Sequence, residues 1–323
     1  MKKIFFIPLL LVGCDTMPPQ KNYVSITTTS NVTISSVTPA APSAAGGFRQ
    51  ITRVTDDPSV ELMPRVSPDG LSMLFTTIDG SAIGSSSYSI SRINLGKLGR
   101  SLIAGPGAAS PSWSPNGNEI YFVNLKSGSP AIVKKSINGV GFQYVGTSSF
   151  GAQDGQPSVS QIGGKIAFHT KLNGGFTICT IDSDGKNFTS YVEGRSPRWS
   201  PDGRKILFER SVGSLYQIFI LDISKGDVTQ ITSGDYSSQH PSWSPDGHKI
   251  VFSSDREGKN HIFVLSLDTG DLRQLTQGET QEFFPDWSKD GYIYFSSDAG
   301  AKTPQSSNPY EWLISDIWKV KVD

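Results

Sequence analysis

The residue types that carry most enzyme chemistry are sparse in this chain and spaced in ways that build no reaction centre. There are four histidines and two cysteines. No Gly-x-Ser-x-Gly turn offers a nucleophilic serine, no His-Glu-x-x-His or Cys-x-x-Cys offers metal or redox chemistry, and no Gly-Lys-Ser/Thr loop offers a phosphate cradle. His169, His240, His248 and His261 are scattered, whereas a metal-dependent lyase needs converging ligands. Cys179 sits in Phe176-Thr-Ile-Cys-Thr-Ile181, the setting of a small buried hydrophobe. Asp182-Ser-Asp-Gly185 has part of a calcium loop's acids without its full spacing and reads as a hairpin turn. The expectation is a protein without catalytic residues, metal or cofactor.

Cys14 points to a different chemistry. Lys2 and Lys3 precede the apolar run Ile4 to Val12, too short to span a bilayer, and Leu11-Val12-Gly13-Cys14 closes it. The tetrad resembles the bacterial lipobox. That resemblance implies removal of residues 1–13 as a signal peptide and acylation of Cys14; an ordinary secretory signal with a fortuitous cysteine is the alternative. Several acyl chains on one residue anchor a protein stably. Asp15 resembles the enterobacterial inner-membrane retention signal, which slightly favours that membrane and leaves the outer one open. Residues 14–47 then form a tether rich in Ser, Thr, Pro and Ala, uncharged from Asn22 to Phe48. If flexible, it spans roughly 30 to 35 Å. Val24-Ser-Ile-Thr and Val32-Thr-Ile-Ser alternate like strands, so addition to a partner's sheet edge is the second reading.

Composition narrows the class further. The 29 basic and 29 acidic residues balance, so no basic excess attracts nucleic acid. With 33 glycines, 20 prolines and only 18% charged residues, the chain is turn-rich, which argues for many short strands and against a helical bundle.

A repeat organises those strands. Pro64-Arg-Val-Ser-Pro-Asp-Gly70 recurs as Pro111-Ser-Trp-Ser-Pro-Asn-Gly117, Pro197-Arg-Trp-Ser-Pro-Asp-Gly203, Pro241-Ser-Trp-Ser-Pro-Asp-Gly247 and Pro285-Asp-Trp-Ser-Lys-Asp-Gly291. Pro157-Ser-Val-Ser-Gln-Ile-Gly163 is a degenerate sixth copy, and successive prolines lie 47, 46, 40, 44 and 44 residues apart. Ser-Pro-Asp-Gly specifies a tight turn. Apolar runs such as Lys249-Ile-Val-Phe-Ser253 and Ile262-Phe-Val-Leu265 follow it, then Leu272-Arg-Gln-Leu-Thr276, giving four strands per unit. Sheets of four strands buried on both faces are the blades of a propeller.

The repeat resembles the TolB-like, PD40-type propeller family, related to WD40 repeats but carrying Trp-Ser-Pro-Asp-Gly, over residues 48–323. The expected fold is therefore an all-β, six-bladed propeller. Ile317-Trp-Lys-Val-Lys-Val322 ends the chain as a third strand, and Phe48-Arg-Gln-Ile-Thr52 resembles the fourth strand of the preceding unit, so the two termini should pair and close the ring. Departures are Val66 and Val159 in place of tryptophan, and a long loop from Asp298 to Ile314 whose Tyr310, Trp312 and Leu313 either form a contact site or fold back.

In a propeller the segments entering each innermost strand ring one channel mouth. Those positions hold Glu61, Met63, Asp154, Arg195, His240, Glu282, Phe283 and Phe284, the candidate partner-binding residues, with the aromatics and Met63 as anchors. The resemblance implies a non-enzymatic interaction scaffold on the periplasmic side of the bacterial envelope. Its expected partners are envelope proteins, such as a peptidoglycan-associated lipoprotein or a Tol-like membrane complex. Carbohydrate or small-ligand binding, or lyase-like activity at the channel mouth, is the alternative.

Overall fold

The computed structural model describes residues 43–44, 50–57, 59–79, 84–96, 99–126, 129–146, 153–299 and 315–322. Cys14, the signal segment, nearly all of the tether, and the aromatics of the 298–314 loop lie outside the described residues.

Local turn chemistry starts each blade. The Gly70 N–H donates to the Ser67 carbonyl at 2.8 Å, and the same bond joins Gly117 to Ser114, Gly203 to Ser200 and Gly247 to Ser244. These glycines have φ between 66° and 77°, a region that L side chains resist. The serine hydroxyl donates to the turn aspartate at 2.5 Å in Ser67–Asp69, Ser200–Asp202 and Ser244–Asp246. Each turn thereby reverses the chain into a two-stranded antiparallel ladder.

Six four-stranded antiparallel sheets result, here numbered as blades 1 to 6. Their innermost strands are Val60–Val66, Ala108–Trp113, Gly155–Val159, Arg195–Trp199, Ser238–Trp243 and Glu282–Trp287. Blades 1 to 5 are continuous in sequence. Blade 6 takes its fourth strand from the other end of the chain: Ile51–Arg53 pairs with Asp316–Lys321, with Ile51 opposite Val320 and Arg53 opposite Trp318. The termini close the ring as the sequence predicts, through a strand that begins at Ile51; Phe48 lies outside the described residues. A short pair, Ser43–Ala44 with Thr276–Gln277, brings the end of the tether against blade 5 on its own chain.

The core is divided among the seams between blades. Leu74 and Ile90 of blade 1 pack against Trp113, Ile120 and Phe122 of blade 2. Leu207 and Ile218 of blade 4 meet Trp243, Ile250 and Phe252 of blade 5, and Val251 and Ile262 of blade 5 meet Ile293 and Phe295 of blade 6. The repeat tryptophan is thus a wedge between neighbouring sheets, and the apolar runs of the second and third strands are buried on both faces.

Candidate functional site

Every innermost strand carries the same irregularity. Its register against the second strand shifts across the repeat proline, for example between Leu62 and Arg65 and between Gln239 and Ser242. The residue before the proline has φ between 46° and 57° in all six blades: Met63, Ser110, Gln156, Ser196, His240 and Phe284. None is glycine, and each such conformation costs about 1 kcal/mol. Proline has no N–H, so placing it in the bulge sacrifices no ladder bond. In three blades the preceding sheet holds the strained residue by its N–H: Ser110 donates to Thr76 Oγ1 at 3.0 Å, Ser196 to His169 Nδ1 at 3.3 Å, and His240 to Glu209 Oε2 at 3.0 Å.

This pre-proline end holds the eight candidate propeller residues, and most are sealed. Glu61, Asp154 and Glu282 are fully buried, and Met63, His240 and Phe284 are nearly so; Arg195 and Phe283 keep partial exposure. Met63 and Phe284 share one apolar cluster with Val60 and Leu62, against which Phe283 packs. The His240 ring lies 3.9 Å from that of Phe284 and edge-on to Phe283 at 6.2 Å. These four therefore form one group, whereas the charged candidates sit in separate networks.

Each carboxylate network has its own logic. Glu61 accepts from Arg100 at 2.8 Å, and Arg100 also pairs with Asp57 and donates to Thr77 Oγ1 at 2.7 Å. Burial nevertheless raises the Glu61 carboxyl to about 7, opposed by Thr55 and Arg100 and reinforced by Asp316 and Asp57. Across the closing seam Asp316 bonds Arg53 at 2.6 Å and is raised by burial to about 6. Glu209, on the second strand of blade 4, accepts from Arg195 Nε at 2.9 Å and Ser196 Oγ at 2.5 Å as well as from His240 N. Burial pushes Glu209 up, but these partners outweigh it and hold the carboxyl below its ordinary range. Glu282 bonds His261 Nδ1 and Thr276 Oγ1, both at 2.8 Å, and Thr280 Oγ1 at 2.7 Å. Asp154 lies beside Cys179, whose thiol is pushed up to about 12 by burial and by that charge.

The histidines stay apart. Burial lowers His240 to about 4 and His169 to about 3, and both ring nitrogens of His240 are buried without a partner. His248 pairs with Asp268 on the surface at 2.9 Å. Among the described residues no three His, Cys, Asp or Glu side chains lie close enough to hold a metal ion. Asp182-Ser-Asp-Gly185 is a hairpin turn closed by Gly185 N to Asp182 O at 2.8 Å, with Asp182 bound to Lys165.

The opposite end of the channel escaped the sequence expectations. There the innermost strands finish and the turns begin, around an open funnel of about 340 Å3. The residue after the repeat proline is Arg65, Ser112, Ser158, Arg198, Ser242 or Asp286, and all six line it. They also link adjacent blades. Ser112 Oγ accepts from Val159 N at 3.3 Å, Ser158 Oγ from Trp199 N at 3.1 Å, and Asp286 Oδ2 from Val66 N at 2.9 Å. Arginine cannot accept a hydrogen bond. After Arg65 and Arg198 the next blade's tryptophan instead donates to the arginine's own carbonyl, Trp113 Nε1 at 2.9 Å and Trp243 Nε1 at 3.1 Å. The signal was present in the repeat itself, because this is its variable position between a proline present in all six copies and the Trp-Ser or Val-Ser that follows.

Comparison with known proteins agrees with this architecture. TolB from Acinetobacter baumannii superposes with a TM-score of 0.60 at 16% identity, over 79% of this chain and 64% of that one. The present chain therefore spans less than two thirds of that protein. A putative TolB from Agrobacterium tumefaciens gives 0.61 at 18% identity over 86% and 100% of the two chains. An oligogalacturonate lyase from Vibrio parahaemolyticus gives 0.55 at 9% identity over 88% and 97%, so the same ring also occurs in an enzyme. Residues 188–304 match the family described as the PD40, TolB beta propeller domain. The chain is thus a six-bladed β-propeller closed by its termini, and its residues 188–304 are similar to the PD40, TolB beta propeller domain.

Proposed function

We propose that this propeller is a non-enzymatic scaffold for protein–protein interaction on the periplasmic side of a bacterial envelope, held to the membrane by lipid on Cys14. Residues 1–13 are its signal peptide, residues 14–47 its tether and residues 48–323 the propeller. Asp15 favours the inner membrane. The observation that carries the scaffold reading is the sealing of the pre-proline end: Glu61 is buried against Arg100 of its own blade, Glu209 ties Arg195 of its own blade to His240 N of the next, and Glu282 reaches His261 of the preceding blade. A partner meets Phe283 and Arg195 there. Glu61, Met63, Asp154, His240, Glu282 and Phe284 form the rigid layer behind them. Lyase-like chemistry at this end would need an imidazole open to substrate, whereas His240 is buried against Phe284. The partner is an envelope protein, such as a peptidoglycan-associated lipoprotein or a component of a Tol-like membrane complex.

Two measurements test this. Cys14→Ala should shift the protein from the membrane to the soluble periplasmic fraction; sedimentation with membranes in high salt would remove the lipid anchor from the proposal. Affinity capture from solubilised envelopes should recover a partner that Phe283→Ala loses while keeping its fold. Equal recovery by both proteins would place the interaction elsewhere.

A further inference from the structure

The funnel at the turn end is lined by an unbalanced set of charges. Arg65, Arg198 and Lys289 line it against the single carboxylate of Asp286, an excess of two positive charges in a chain whose totals balance. Lys289 stands where the other intact repeats have their turn proline. Arg65 and Arg198 belong to blades 1 and 4 of a closed ring of six, so they occupy opposite walls.

The surroundings of these two arginines differ at one repeat position. The blade before Arg65 supplies Asp286, which accepts the Val66 N–H through one oxygen and faces Arg65 Nη1 at 3.7 Å with the other. The blade before Arg198 supplies Ser158 instead. Its hydroxyl accepts the Trp199 N–H, matching the first role, but it has no charge for the second. Among the described residues no carboxylate lies within ion-pair distance of Arg198, whose Nη1 bonds only the neighbouring Pro197 carbonyl, at 3.2 Å. Arg198 Nε and Trp199 Nε1 are buried donors without an acceptor. Planar guanidinium groups match carboxylates through paired N–H donors, and buried donors without partners are costly.

We propose that the turn end of the channel binds a carboxylate-bearing ligand, with its carboxylate on Arg198 as Asp286 lies on Arg65. This is a second site, at the opposite end of the channel from Phe283. The Ser112 and Ser158 hydroxyls each accept one backbone N–H and retain a proton to donate. Lys289 at the rim adds attraction for further negative charge. The funnel's volume of about 340 Å3 suits a small polycarboxylate or one acidic segment of a protein chain.

The test is calorimetric titration of the full chain with citrate and, separately, with hexaglutamate, at constant ionic strength set by sodium chloride. At least one probe should bind saturably, with its dissociation constant raised tenfold or more in Arg198→Gln and in Ser158→Asp. Ser158→Asp is the sharper variant. It supplies Arg198 with an internal carboxylate, and the contact of Asp286 with Val66 N shows that aspartate at this position still serves the neighbouring blade. Its melting temperature provides the control for folding. Binding of citrate alone identifies a free small carboxylate as the ligand, and tighter binding of hexaglutamate identifies an acidic protein segment; either upholds the site. Absence of saturable binding by both probes, or constants unchanged in the two variants, overturns it.

Discussion

At the pre-proline end of the channel Glu61, Glu209 and Glu282 are fully buried and each is met by a basic side chain, whereas at the turn end Arg198 meets only a backbone carbonyl. Both ends are built on the six innermost strands, with Glu209 reaching in from a second strand, and one bulge and one proline separate them. The difference shows how a repeat divides its labour. Charges at the pre-proline end are buried within a blade or between two, where desolvation is severe and partners must come from the protein itself. Charges after it face an open funnel, where a ligand can serve as partner.

Removing a sealed charge should therefore have the largest effect. Glu209→Ala leaves Arg195 without its carboxylate and withdraws the acceptor from Ser196 Oγ and His240 N, two residues with positive φ. The expected loss is about 3 to 5 kcal/mol in urea unfolding, with Glu209→Gln recovering part of it. A loss below roughly 1 kcal/mol would show that this end is not structurally committed.

Glu61 sharpens the same comparison through pH. Its folded carboxyl lies at about 7 against an ordinary 4.5, so the native state binds the extra proton. That contribution to stability is complete below about pH 4.5 and is lost as pH rises through about 7. Asp316 acts in the same sense over a lower range, since burial raises it to about 6. His169 and His240 act oppositely: their lowered values make the fold lose stability as pH falls below about 6.5, the ordinary histidine value. Comparing wild type with Glu61→Gln cancels the histidine contributions and leaves the coupled pair of Glu61 and Asp316. The variant should gain on wild type by on the order of 3 kcal/mol between pH 4.5 and pH 8, measured by chemical unfolding. A difference independent of pH would mean that Glu61 stays ionised throughout.

The legibility of the molecule follows the same division. Blade number and ring closure could be read because turn chemistry and burial on both faces repeat at fixed spacing, and Phe48-Arg-Gln-Ile-Thr52 and Ile317–Val322 each lack the strand the other supplies. The pre-proline ring was legible as a location but not as an environment. Whether Glu61 or Arg195 faces solvent depends on Arg100 and Glu209, which lie on other strands and carry no spacing signal. The six left-handed residues before the prolines were hidden as well, because their side chains share no chemistry: Met63, Ser110, Gln156, Ser196, His240 and Phe284 have only a backbone angle in common. At the turn end, the alternation of Arg, Ser and Asp after the proline was visible in the repeats. Its meaning needed the ring, since Arg65 and Arg198 are opposite one another only once six blades close.

The tryptophan wedges give a smaller test, internal to one repeat position. Trp113 donates to the Arg65 carbonyl and Trp243 to that of Arg198, whereas Trp199 Nε1 is buried without an acceptor. Replacement by phenylalanine should cost about 1 to 2 kcal/mol at Trp113 and Trp243, through the lost bond and the orphaned carbonyl. Trp199→Phe should cost less, because it removes an unpaired donor. Equal losses at all three positions would assign the effect to ring volume alone.

The smallest expected effect on stability is at Arg198, and it separates a binding charge from a structural one. Arg198→Gln removes a bond to the residue's own neighbouring carbonyl and also removes an orphaned donor, so the two changes offset and unfolding should shift by no more than about 0.5 kcal/mol. Arg65→Gln, at the same repeat position, takes the guanidinium from Asp286, whose carboxyl burial already raises. That loss should reach about 2 kcal/mol. If Arg198→Gln proves as damaging as Arg65→Gln, Arg198 is itself structural and the two ends differ only in depth. If it is neutral, an arginine that contributes nothing to folding stands in a half-enclosed funnel with donors in need of acceptors, and its role must be sought in what enters the channel.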